Sequence, residues 1–125
     1  MTRMLIVVAA GGAIGAVMRF LLGQLAVYWL GRDFPYGTLL VNVLGSFLIG
    51  VLYVVLMERL MADPMWRAFL VVGLLGSLTT FSTFSIETLH FFEHGAGGRA
   101  LANIAANLGL CLLACWAGLS LVRQL

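Results

Sequence analysis

Apolar residues run through this chain with only three brief interruptions, at about residues 31–37, 58–67 and 95–98. Between them lie four apolar segments, about residues 5–30, 38–57, 66–92 and 100–122. A helix needs roughly 20 apolar residues to cross a bilayer, and each segment is about that long. In hydrocarbon every backbone N–H and C=O must be satisfied within the protein, which leaves helices as the economical way to span. The expected fold is therefore an all-α membrane protein with four transmembrane helices, one membrane domain over residues 1–125. Composition agrees, at 62% hydrophobic and 10% charged residues, with mean hydropathy +1.08. Four spans with short turns use up the 125 residues. All seven basic residues are Arg and they are scattered, which argues against nucleic-acid binding and against a polybasic lipid-binding tail.

The third segment holds the least lipid-like sequence in any span, Gly76-Ser-Leu-Thr-Thr-Phe-Ser-Thr-Phe-Ser85. Seven of these ten residues are Gly, Ser or Thr. Hydroxyls at mid-membrane line a cavity, bind helices together or bond back to their own backbone. Gly76 followed by hydroxyls is also where a spanning helix can be interrupted, since side chains can satisfy the freed backbone groups. If the segment stays helical, Phe81 and Phe84 share one face, and Ser82 and Ser85 a neighbouring stripe. Either close helix packing or a polar, aromatic-edged lining fits.

The other spans carry fewer signals. Arg19 lies well inside the first, either snorkelling to the headgroups or standing at the mouth of an anion pathway. Gly11 and Gly15 form a small-xxx-small pair for close helix approach. Asn42 in the second span could be interhelical glue or a donor to an anion. Asn103, Asn107 and Cys111 recur at i, i+4 and i+8 on one stripe of the fourth span, a polar track. His90 and His94 have the spacing of a helical metal chelate, but polar residues at a membrane boundary account for them as well. Cys111 and Cys115 are four apart, too close along a helix for a disulfide, and read as packing residues. No acid–base pair, phosphate loop or metal cluster stands out, so an enzyme is not expected.

Three stretches occur in order that together resemble one family. They are Gly11-Gly-Ala-Ile-Gly15-Ala-Val-Met-Arg19, Gly37-Thr-Leu-Leu-Val-Asn42-Val-Leu-Gly45-Ser46-Phe, and Gly73-x-x-Gly76-x-x-Thr79-Thr-Phe81-Ser-Thr-Phe84-Ser. The chain is similar to the Fluc fluoride channels, also called CrcB. The resemblance implies a bacterial fluoride exporter in the inner membrane, acting as a passive channel and conferring fluoride resistance. It further implies an antiparallel dual-topology homodimer with two anion pores and a sodium ion at its centre. The family's paired Phe residues match Phe81 and Phe84, its pore Asn matches Asn42, and its sodium-binding backbone carbonyls fall on Gly76 and Thr79. Ser77 stands where members often have Gly, and Asn103 and Asn107 stand where Tyr and Ser are expected.

The chemistry of the residues is compatible with that implication. A bare small anion costs on the order of 20 kcal/mol to bring into low dielectric, so donors must replace its water. Ser82, Thr83, Ser85, Asn42, Asn103 and Asn107 can donate, and the edges of Phe81 and Phe84 carry positive potential. A fixed guanidinium in a constriction would bind too tightly to conduct, which places Arg19 in a vestibule. With four spans, Arg3, Arg59, Arg67 and Arg123 share one side and Arg32 and Arg99 the other, a weak orientation bias. The alternative is a small dual-topology proton-coupled multidrug exporter, which needs a carboxylate in its first span. Here that span has Arg19 and no acid.

Overall fold

The computed structural model describes residues 1–125 and is helical from end to end, with four helical spans long and apolar enough to cross a membrane. Helix α1 is Thr2–Leu30 and α2 is Tyr36–Arg59. The third span, Pro64–Glu93, is two helices, α3 over residues 64–78 and α4 at Phe81–Glu93. Helix α5, Gly97–Gln124, is the fourth span. Each span runs past its apolar core into the polar turns, because helix hydrogen bonds persist for a turn or so beyond the hydrocarbon.

The turns follow from local chemistry. Asp63 Oδ1 accepts from the Met65 N–H at 2.8 Å and Pro64 takes the first helical position, so α3 starts capped. After α4, Gly95 adopts a left-handed φ of +71°, and the Ala96 N–H returns to the Phe91 carbonyl at 2.8 Å. At the opposite end of the molecule Arg123 forms a two-pronged pair with Glu58, at 2.6 and 3.2 Å. The neighbouring Arg59 guanidinium donates to the Val122 carbonyl, tying the end of α2 to the end of α5.

Two glycine seams hold the bundle. Along α1, Gly11 and Gly15 press against the Phe69 and Leu74 carbonyls of α3, leaving no room for a Cβ at either position. Gly73 returns the contact, since a Cβ there would meet the Val8 carbonyl at 2.6 Å. This is the small-xxx-small packing that the first span's sequence anticipates. In α3 the contact coincides with wide i→i+5 winding over Ala68–Leu75, and similar winding ends α2 at Val54–Arg59. Between α2 and α5, Gly50 and Gly118 play the matching part against the Cys115 and Phe47 carbonyls. A small core of Val41, Leu75 and Leu78 packs between α1, α2 and α3, against Met18, Leu22, Leu48 and Leu52. Many large apolar side chains face outward, as expected where the surrounding lipid is as apolar as the protein.

The break in the third span falls three residues beyond the glycine expected to open it. Gly76 is helical, with φ −60° and ψ −32°. The chain straightens instead at Thr79 (φ −83°, ψ 156°) and Thr80 (φ −150°, ψ 114°). The cause is a set of side chains competing for backbone groups.

Candidate functional site

The break is built by Asn42 of α2 and by the hydroxyl of Thr80. In an unbroken helix the Thr80 N–H would bond to the Gly76 carbonyl. Here it donates to Asn42 Oδ1 at 2.8 Å, while Asn42 Nδ2 donates back to the Thr80 carbonyl at 3.0 Å. One amide side chain thus pairs with one residue's backbone as a neighbouring strand would. The Thr83 N–H, whose helical partner would be the Thr79 carbonyl, donates to Thr80 Oγ1 at 3.1 Å. Thr80 is the N-cap of α4. These diversions take the regular helical donors away from the carbonyls of Gly76 and Thr79. Gly45 of α2 makes room, because a Cβ there would run into the Thr79 methyl.

Two cavities flank the break. One, about 460 Å³, is a groove lined by Asn42, Ser46, Phe81, Phe84, Asn107 and Cys111, with Gly76 and Thr79 on its wall. Phe81 and Phe84 lie with ring centroids 5.3 Å apart and planes tilted by 59°. Phe84 is buried at 8% exposure, whereas Phe81 is 73% exposed and projects from the protomer. The other cavity, about 790 Å³, opens toward the 31–37 turn and holds Arg19, Arg32, Thr80, Thr83, Glu87 and His90. The candidate residues are therefore divided. Arg19 and Thr83 are in the wide vestibule, while Asn42 and both Phe rings are in the groove.

The hydroxyls are unequal. Thr83 Oγ1 accepts from Thr80 at 2.9 Å, which leaves its own proton for something in the vestibule. Ser82 is exposed and lies 3.3 Å from Thr80 Oγ1. Ser85 spends its proton on the Phe81 carbonyl at 2.9 Å, and Thr79 spends its own on Leu75 at 3.0 Å. The asparagines form a chain. Asn42 Nδ2 also donates to Asn107 Oδ1 at 3.1 Å, Asn107 donates to Asn103, and Asn103 donates to Thr88. The predicted polar stripe of α5 thus reaches the break, though its first member, Asn103, is fully buried. Cys111 and Cys115 are free thiols. The His90 and His94 rings lie with centroids 4.1 Å apart and planes tilted by 42°, and no group of three or more His, Cys, Asp or Glu is placed to hold a metal ion.

Sequence reasoning missed three contributors. Thr80 and Thr88 were two more hydroxyls in a hydroxyl-rich span, with nothing local to single them out. Glu87 carried a signal, since a carboxylate inside a span is costly and marks function by default. It lines the vestibule with Arg19, and its Oε1 has no hydrogen-bond partner.

Comparison with known proteins follows the same lines. The family described as "CrcB-like protein, Camphor Resistance (CrcB)" matches residues 6–119. A protein of Shewanella loihica named "Fluoride-specific ion channel FluC" is 52% identical over 118 residues, 94% of each chain. One of Sulfurihydrogenibium sp. with the same name is 46% identical over 120 residues, covering 96% of this chain and 97% of the relative. A third, from Methylococcus capsulatus, is 48% identical over all 125 residues, but this chain spans only 55% of its length. A broken third span carrying paired phenyl rings, an asparagine clamped to the break and a match over nearly the whole length lead to one assignment: the chain belongs to the CrcB family.

Proposed function

We propose that this protein is a passive, fluoride-selective channel of the cell membrane. The observation that carries the reading is the groove in which Phe81 and Phe84 stand beside Asn42. Its support from relatives is the shared name "Fluoride-specific ion channel FluC" on full-length matches. An anion leaving water must meet donors at short range without meeting a charge that would trap it. Phenyl edges offer weak positive potential in the groove, while the free Thr83 proton offers a donor in the vestibule and Ser82 an exposed hydroxyl beside the break. Arg19 and Arg32 raise anion concentration in the vestibule rather than in the narrow groove. Asn107 lines the groove and Ser85 and Asn103 stand behind it, all three with their hydrogen bonds already directed at protein.

A single protomer leaves Phe81 open to its surroundings, so the working unit in this reading is a homodimer, with the copies antiparallel about a two-fold axis in the membrane plane. A structural sodium ion fits the break. The carbonyls of Gly76 and Thr79 are those whose helical donors Asn42 and Thr80 divert, and oxygen-only ligation suits a hard cation. Bound there, the ion would neutralise carbonyl dipoles that hydrocarbon cannot solvate.

Reconstitution in liposomes tests the reading, with efflux followed by fluoride- and chloride-selective electrodes. Fast fluoride efflux without an imposed proton gradient, and chloride retained, is the expected outcome. Equal flux of the two anions, or flux only with a proton gradient, overturns it. The second of those results would favour the proton-coupled exporter.

A further inference from the structure

The amides of the fourth span do something that their place beside the groove does not require. We infer that Asn107, with Asn103 behind it, is a positioning residue that acts through Asn42: it fixes which edge of the Asn42 amide faces Thr80, and so pins the break. The inference rests on the fluoride-channel reading only for its consequence on flux.

An Asn side chain is nearly symmetric in shape, and its two edges differ only in whether they donate or accept. At the break the difference is decisive. Turned over, Asn42 would set N–H against N–H and oxygen against oxygen on Thr80. Its orientation is dictated from α5. Asn107 Nδ2 lies 3.0 Å from the Asn103 backbone carbonyl, a group that can only accept, and 3.0 Å from Asn103 Oδ1. The NH2 group of Asn107 must therefore face Asn103, and its oxygen must face Asn42. That oxygen, 3.1 Å from Asn42 Nδ2, in turn demands a donor, so the Asn42 NH2 group points toward it and toward the Thr80 carbonyl. Asn42 Oδ1 is left to receive the Thr80 N–H.

The far end is anchored in the same way. Asn103 Nδ2 donates to Thr88 Oγ1 at 2.9 Å, and Thr88 donates to the Phe84 carbonyl at 2.7 Å, again an obligate acceptor. Every donor in the chain points from the break toward Phe84, and hydrogen bonds aligned head to tail polarise one another. Asn103 and Asn107 are 0% and 5% exposed, so no water competes for these groups. Both N–H groups of Asn42 are occupied by protein, which is what a clamp requires.

The test needs no fluoride. Backbone amide exchange at Thr80 is read by NMR on the full-length chain in nanodiscs, without fluoride, for wild type, Asn107→Leu and Asn107→Ser. Leu fills the space but offers Asn42 no acceptor, so exchange at Thr80 should quicken about tenfold. The Val54 amide, in a buried part of α2 remote from the break, should be unchanged. Ser keeps an acceptor and should give an intermediate rate, and it carries the test if the Leu variant does not fold. Fluoride efflux should fall in the same order. Unchanged Thr80 exchange overturns the inference whatever the flux does, and with flux lost it makes Asn107 a direct ligand of the ion. Equal quickening at Val54 also overturns it, as general loosening. A wild-type protein that carries no fluoride while Thr80 still responds would defeat the channel reading and leave the positioning role standing.

Discussion

Phe81 and Phe84 sit three residues apart on one short helix, yet their surroundings are opposite. Phe84 is packed inside the protomer and Phe81 is mostly open. Ring edges turned into the groove are a means of handling an anion; buried ring area is a means of holding α4 in place. The two contributions separate on substitution by Ile, which keeps apolar volume and removes the ring edge. Fluoride flux is expected to fall at least tenfold in both Phe81→Ile and Phe84→Ile. Only Phe84→Ile should lower stability, by about 1 kcal/mol, because only its ring fills a packed site. Liposome efflux and thermal unfolding of the purified protein measure the two effects. Full flux in both variants would return the rings to a packing role.

The break between α3 and α4 depends on α2 at two points, the Asn42 amide and the absence of a side chain at Gly45. A methyl group at position 45 would collide with the Thr79 methyl, and Thr79 cannot swing that methyl aside without giving up its hydroxyl's bond to the Leu75 carbonyl. Gly45→Ala is expected to cost about 2 kcal/mol through overpacking and to abolish most fluoride flux. Gly98→Ala, in open space at the start of α5, should be neutral or slightly stabilising. Thermal unfolding and efflux of the pair check this, and equal behaviour of the two would remove Gly45 from the site. The same element shows what was legible in the sequence. The four spans were legible because desolvation of the backbone in lipid leaves little choice of structure. A break within residues 76–85 was legible because so many hydroxyls in one span need backbone partners to replace. Its position was not, because the group that takes the Thr80 N–H lies 38 residues earlier, on α2. Gly76 can bend, but its own N–H keeps its bonds to the Val71 and Gly73 carbonyls, and only its carbonyl loses a helical partner. The sequence leaves Asn42 as either interhelical glue or a donor to an anion, and in the fold both of its N–H groups bond to protein. Spacing placed Asn103 and Asn107 on a common stripe, while their burial depends on how α5 seats against α2 and α4.

At the scale of the whole molecule, the proposed antiparallel pair requires one sequence to insert both ways. Basic residues near span ends set orientation, with the side richer in Arg retained in the cytoplasm. Arg3, Arg59, Arg67 and Arg123 lie toward one end, and Arg32 and Arg99 toward the other. Arg19 opens into the same vestibule as Arg32, which narrows the count from four against two to four against three. So small a difference should leave both orientations populated. A single cysteine introduced by Asp33→Cys, in the turn after α1, should then react with a membrane-impermeant maleimide from either side of the membrane, each side labelling about half of the molecules. The two native thiols, within α5, set the background. The balance should also be easy to tip. Met61→Lys adds a charge in the exposed turn after α2, at the Arg-rich end, and Gly98→Lys adds one at the opposite end. Either variant expressed alone should insert mostly one way and lose fluoride efflux, since antiparallel partners become scarce. Expressed together, they supply opposite orientations and efflux should return. Labelling of the Asp33→Cys protein from one side only, in vesicles that still carry fluoride, would rule out the antiparallel pair and require a parallel assembly to form the conducting unit.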